Sequence, residues 1–274
     1  MKLKDFAKTG RKVSEVGMGT YYDPPWIATA FLGWRRGSKA KVEGMKAGLD
    51  AGITLVDTAE IYQSEVLVAK AIRGRKRDEL FLATKVWSSH LRRDDLIRAF
   101  QRSLRRLGTS YIDLYQVHWP NPGVPIGETM AAMEELVRDG KLMHIGVSNF
   151  SLGQLEAANS ALARSQLSSV QLNYSLIHRD VERDVLPYCN REGIALLAYY
   201  PLGHGKLSSD PRLDGISMKN GKSRTQVALR WLARKPNVFP IPRASAEIHV
   251  GEDAGVSGWE LSDSDSAELE AIFQ

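Results

Sequence analysis

From Val16 onward the chain alternates short apolar runs, rich in β-branched residues, with longer stretches whose apolar positions recur at helical spacing. Stretches 16–20, 53–57, 80–84, 112–117, 142–147, 170–172, 194–198 and 238–241 read as strands. Stretches 38–51, 64–73, 94–107, 128–138, 153–163, 181–192 and 223–234 read as helices. Ahead of them, 3–16 reads as a hairpin around Thr9-Gly10-Arg11, and Pro24-Pro25 marks a loop before an N-cap at Ser38. Counting from Val16 gives eight strands, the first seven each followed by a helix, with no composition shift between them. The expected fold is therefore α/β, a closed (β/α)8 TIM barrel with an N-terminal β-hairpin, in one domain spanning 1–274. A Rossmann sheet fits less well, because Gly17-x-Gly19 lacks the third glycine of a dinucleotide loop. Gly221-Lys222-Ser223 likewise lacks the upstream glycine of a phosphate loop.

Composition removes several function classes. With 274 residues, 43% hydrophobic and 25% charged, the chain can bury a large core. Met1-Lys2-Leu3-Lys4-Asp5-Phe6 lacks the apolar region of a signal peptide, and no run approaches the roughly 18 apolar residues of a membrane span. A cytoplasmic protein without a membrane partner is expected. The single cysteine, Cys189, can form neither an internal disulfide nor a thiolate cluster. The net charge of +5 is spread among acids, as in Arg92-Arg93-Asp94-Asp95, which suits solvated helix faces and a small anionic ligand better than nucleic acid.

The carboxyl ends of barrel strands open on one face, where active sites are built. Read in order, those ends are Gly19-Thr20, Asp57, Lys85, His118, Ser148-Asn149, Gln171, Tyr199 and Arg243. Each has an ordinary explanation singly, as a helix cap, a snorkelling cation or a core histidine. Together on one rim they mark a site. A glycosidase would need paired carboxylates, and a metal centre would need converging histidines where only His118 reaches the rim, so no metal is expected. A Schiff-base aldolase using Lys85 stays open. Asp57, Tyr62, Lys85 and His118 lie on or just after consecutive strand ends and can meet at one point. An Asp57–Lys85 ion pair is expected to keep the lysine charged, and Lys85 to lower the Tyr62 phenol from about 10, making it a general acid. His118 can donate to a carbonyl oxygen. Such a site lacks only hydride, which a nicotinamide cofactor must supply.

These residues sit in stretches that resemble the aldo-keto reductase family: Val56-Asp57-Thr58-Ala59-Glu60-Ile61-Tyr62, Thr84-Lys85-Val86-Trp87, Gln116-Val117-His118-Trp119-Pro120 and Gly146-Val147-Ser148-Asn149-Phe150. Gln171-Leu172-Asn173-Tyr174, Ala198-Tyr199-Tyr200-Pro201-Leu202-Gly203 and 225–232 extend the likeness. The resemblance implies a barrel binding NADP(H) across the rim and reducing a small-molecule aldehyde or ketone, with Asp57, Tyr62, Lys85 and His118 as catalytic tetrad and Tyr62 as proton donor. It implies that Ser148, Asn149 and Gln171 bond the carboxamide and that Tyr199 stacks on the nicotinamide. Gly19 and Thr20 would lie near that ring, backbone from Leu202 would wrap the pyrophosphate, and Tyr21, Trp87 and Trp119 would wall the substrate pocket.

The chain departs from the family pattern at the adenosine end, where Ile241-Pro242-Arg243-Ala244-Ser245, His249, Glu252 and Asp253 replace a lysine, a serine or threonine, an arginine and an asparagine. Arg243 keeps a permanent cation for a 2′-phosphate, so NADP(H) is expected to be preferred, with NAD(H) possible. Tyr200, where the family commonly has serine, adds bulk beside the pyrophosphate. The same resemblance admits a nucleotide-sensing regulatory subunit, although no inactivation segment is expected ahead of the hairpin.

Overall fold

The computed structural model describes residues 1–243 and 247–274. β1 (Leu3–Asp5) and β2 (Lys12–Ser14) form the expected antiparallel hairpin. Then follow β3 (Met18–Gly19), α1 (Pro24–Phe31), α2 (Ser38–Asp50), β4 (Leu55–Asp57), α3 (Glu65–Ile72), β5 (Phe81–Val86), α4 (Arg93–Leu107), β6 (Ile112–Val117) and α5 (Ile126–Arg138). The second half holds β7 (Leu142–Ser148), α6 (Leu152–Ser160), β8 (Leu167–Asn173), α7 (Val185–Glu192), β9 (Ala195–Tyr199), α8 (Asp214–Asn220), α9 (Arg224–Ala233), β10 (Val238–Pro240), α10 (Glu247–Ala254) and α11 (Asp263–Ile272). Strands β3 to β10 pair in parallel and in chain order. The sheet closes because Gly17 N–H donates to Pro240 O at 2.9 Å and Gly19 N–H to Pro242 O at 2.7 Å. At that seam a Cβ on Gly19 would stand 2.9 Å from Ile241 O, so only glycine lets the two chains approach.

The strands are apolar throughout because both faces are covered. Leu55, Phe81, Leu114, Leu197 and Phe239 point into the barrel, while their neighbours Val56, Leu82, Tyr115, Leu196 and Val238 pack under the helices. The hairpin plugs the amino-terminal end, placing the Phe6 ring 4.6 Å from Phe81 and 5.1 Å from Phe239. What remains open is the opposite rim.

Several local boundaries differ from expectation. Pro24-Pro25 starts α1 rather than a loop, since proline is tolerated at the first helical positions and the Asp23 carboxylate accepts the Trp26 N–H at 2.7 Å. Gly37, at φ 66°, occupies the cap position of α2, and Ser38 is already helical. The 208–220 stretch, which carries no helical pattern strong enough to be expected as an element, contains α8, which ends on Gly221 at φ 60°. Among the described residues no helix is long and apolar enough to cross a membrane.

Candidate active site

Lys85, on β5, is wholly buried, and its Nζ donates to Asp57 Oδ2 at 2.6 Å and to Thr58 O at 2.9 Å. The other Asp57 oxygen accepts from Gln171 Nε2 at 2.8 Å and Gln116 Nε2 at 3.5 Å. Above this pair, the Tyr62 hydroxyl lies 3.3 Å from His118 Nε2, and Lys85 Nζ sits 4.9 Å from the centre of the tyrosine ring. The four side chains expected to meet do meet. A Schiff base on Lys85 is disfavoured, because its side chain is wholly buried and its nitrogen is engaged by Asp57 and Thr58.

The electrostatics correct one expectation. Burial, reinforced by the negative Asp57, pushes the Tyr62 phenol well above its ordinary value of 10.0 rather than below it. The Lys85 charge is spent on Asp57, so it does not outweigh the cost of desolvating a phenolate. Tyr62 therefore keeps its proton at neutral pH. Burial lowers the Lys85 ammonium, against the opposing pull of Asp57. Burial and the Lys85 charge carry His118 down to about 2, so the imidazole is neutral.

One cleft of about 620 Å³ takes in Asp57 and Tyr62 together with Gly19, Tyr21, Gln171, Tyr199, Tyr200, Leu202, Arg243, His249, Glu252 and Asp253. Tyr21 meets Tyr62 edge-on at 5.2 Å and Tyr200 at 6.2 Å, while the Tyr200 and His204 rings lie tilted against each other with centroids 3.7 Å apart. Both Tyr200 and His204 hold left-handed backbone, at φ 49° and 58°. Arg243 Nη1 donates to Tyr22 O at 2.6 Å, which fixes its guanidinium against the loop after β3. Burial, with Glu252 beside it, raises the Asp253 carboxyl to about 8.

Other expected residues stand behind this wall. Thr20 Oγ1 bonds Asp57 O at 3.0 Å, and Ser148 Oγ donates to Gln171 O at 2.9 Å. Asn149 donates to His118 O at 2.9 Å and accepts from the Tyr199 hydroxyl at 2.9 Å, so it braces two rim positions at once. Trp87 packs edge-on against His118 at 5.3 Å, and Trp119 is 46% exposed at the rim. Ala244 lies outside the described residues. Sequence reasoning missed Gln116, although it lies two residues after inward-facing Leu114 and is fully buried. It also missed Thr225 in the cleft wall, which no strand end announces.

The Aldo/keto reductase family model matches residues 29–274. The glyoxal reductase of Bacillus subtilis is 35% identical over 90% of this chain and 88% of its own length. A thermostable aldo-keto reductase, Tm1743, solved with the inhibitor epalrestat, superposes with a TM-score of 0.89 at 37% identity, covering 99% of this chain and 100% of that one. An aldo-keto reductase from Klebsiella pneumoniae solved with NADPH gives a TM-score of 0.88 at 32% identity, covering 100% of this chain and 96% of that one.

Proposed function

The chain belongs to the aldo/keto reductase family, and on that premise we propose that Asp57, Tyr62, Lys85 and His118 perform its carbonyl chemistry. It is an NADPH-dependent reductase of aldehydes and ketones. The cleft suits such a dinucleotide: it offers the Tyr199 ring, the permanent cation of Arg243 and, at Gly19, a backbone position that bears no side chain. Arg243 would face the 2′-phosphate with His249, while Gln171 and Tyr199 would border the nicotinamide, braced by Ser148 and Asn149. Glu252 and Asp253 line the same end, and Tyr200 with the turn from Leu202 would border the pyrophosphate. When bound, the cofactor supplies the hydride that no side chain can.

The chain's own residues handle the oxygen. The Tyr62 hydroxyl and the neutral His118 imidazole, 3.3 Å apart, are placed to converge on one carbonyl oxygen. Each can donate a hydrogen bond there, His118 orienting the substrate and Tyr62 transferring its proton as negative charge develops. Lys85, anchored 4.9 Å from the Tyr62 ring, offsets the charge left on the phenol oxygen after transfer. Asp57 keeps that cation in place.

Tyr21, Trp87 and Trp119 give the substrate side an aromatic lining, and small aldehydes such as glyoxal, the substrate in the name of the Bacillus relative, fit this reading. We place the enzyme in the cytoplasm, a reading that the buried free thiol of Cys189 fits, and take it as one domain over 1–274. The observation that carries the proposal is the Tyr62–His118 contact directly above the Asp57–Lys85 pair. Tyr62→Phe is expected to lose about a hundredfold or more in turnover of glyoxal while NADPH still quenches tryptophan fluorescence. A loss of only a few-fold would remove Tyr62 from the role of proton donor.

A further inference from the structure

Histidines that act in catalysis are usually oriented by a hydrogen bond on the nitrogen that does not face the substrate. His118 has none: its Nδ1 is buried without a partner among the described residues. Its main chain is fixed by N–H donation to Val86 O at 3.0 Å and by Asn149, but neither contact sets the ring. The ring is held instead by packing, between Tyr62 at 5.3 Å and Trp87 at 5.3 Å, both edge-on.

What ties together the two loops that carry those side chains is Glu60. It opens the short turn Glu60–Tyr62 that ends on the proton donor, and it is 9% exposed. Its Oε2 accepts the Trp87 N–H at 3.1 Å, and its Oε1 accepts from Arg102 Nη2 on α4 at 3.2 Å. His90 Nδ1 lies 3.0 Å from the same carboxylate. The Glu60 bond to the Trp87 main chain, the packing of Trp87 on His118 and of His118 on Tyr62, and the turn that joins Tyr62 to Glu60 together close a circuit. We propose that Glu60 is a positioning residue for the reduction, holding the loop after β4 against the loop after β5 so that the unbonded His118 ring and the Tyr62 hydroxyl keep their separation. Burial works to raise the Glu60 carboxyl, but Trp87, His90 and Arg102 together pull it below its ordinary value, so the clamp is charged across the neutral range.

The inference rests on Tyr62 being the proton donor, and the test separates the two. Glu60→Ala and Glu60→Gln are made in the full chain and assayed with NADPH and glyoxal. Glu60→Ala is expected to lower kcat by about tenfold to a hundredfold, the scale of an ångström-sized misplacement. It should also raise the solvent deuterium isotope effect on kcat as proton transfer becomes slower, with NADPH affinity unchanged. Glu60→Gln keeps an oxygen for the Trp87 N–H and should recover most of the turnover. A wild-type kcat and isotope effect in Glu60→Ala would overturn the proposal. So would a joint fall of turnover, NADPH affinity and melting temperature that Glu60→Gln fails to rescue, which marks a merely structural role. If Tyr62→Phe itself stays active, the proton-donor reading fails instead.

Discussion

Replacing Lys85 by Met strands the Asp57 carboxylate in a site that water does not reach, since the two side chains are 0% and 3% exposed. Only the Gln171 amide at 2.8 Å and the long Gln116 contact at 3.5 Å would remain to it. Methionine nearly matches the lost volume, so the cost is electrostatic rather than a cavity. Breaking a buried pair from one side costs about 3–5 kcal/mol. At about 2–4 °C per kcal/mol for a chain of this size, the melting midpoint should fall by roughly 6–20 °C. The cheapest relief for the stranded carboxylate is to bind a proton. The folded variant then holds a proton that the unfolded chain releases, so its stability falls as pH rises, and the deficit against wild type is smaller in mild acid than in mild base. Thermal melts followed by circular dichroism at about pH 5.5 and pH 8 would read both effects. Asp57→Leu added to Lys85→Met should restore most of the stability, because an apolar pair replaces an ionic one, yet leave turnover lost. If Lys85→Met melted within a degree or two of wild type at both pH values, the pair would be solvated and the account of the site's electrostatics would be wrong.

The remaining predictions concern protonation. With His118 neutral down to about 2 and Tyr62 held protonated, the kcat profile should show no limb from either group through the neutral range; His118→Gln should lower the whole profile without changing its shape, as a pH–rate series would show. The Asp253 carboxyl, raised by burial to about 8, binds its proton more tightly folded than unfolded. Wild type should therefore lose stability as pH rises between about 4 and 8, by at most about 1.4 kcal/mol per unit, and Asp253→Asn should flatten that slope in urea melts.

How much of this could be read from the chain depends on distance along it. The strand-end residues were legible because barrel strands covered on both faces are apolar until they stop, so Asp57, His118 and Tyr199 stand out where each run ends. The sign of the Tyr62 shift was not, because it turns on how a lysine charge is shared in three dimensions. The bracing role of Asn149 was hidden for a related reason: its partners lie 31 and 50 residues away. Nothing in the sequence singled out Glu60, because its donors come from 27, 30 and 42 residues further on. The start of α1 was missed because Pro24-Pro25 was read as a breaker, whereas proline at a helix start breaks nothing.

The glycine seam has a bearing on how the enzyme comes into being. Gly17 and Gly19 on the first barrel strand bond Pro240 and Pro242 at the last, so the contact that completes the rim joins segments made at opposite ends of synthesis. Until 238–242 has left the ribosome and docked, β3 and β9 are open edges exposed to wrong partners, and Arg243 is not beside Gly19. Such long-range closure is the slow kind of folding event. Competence to bind cofactor therefore arrives last, in one step with closure, and a chain truncated before Val238 would carry Asp57, Tyr62, Lys85 and His118 on a sheet that cannot close.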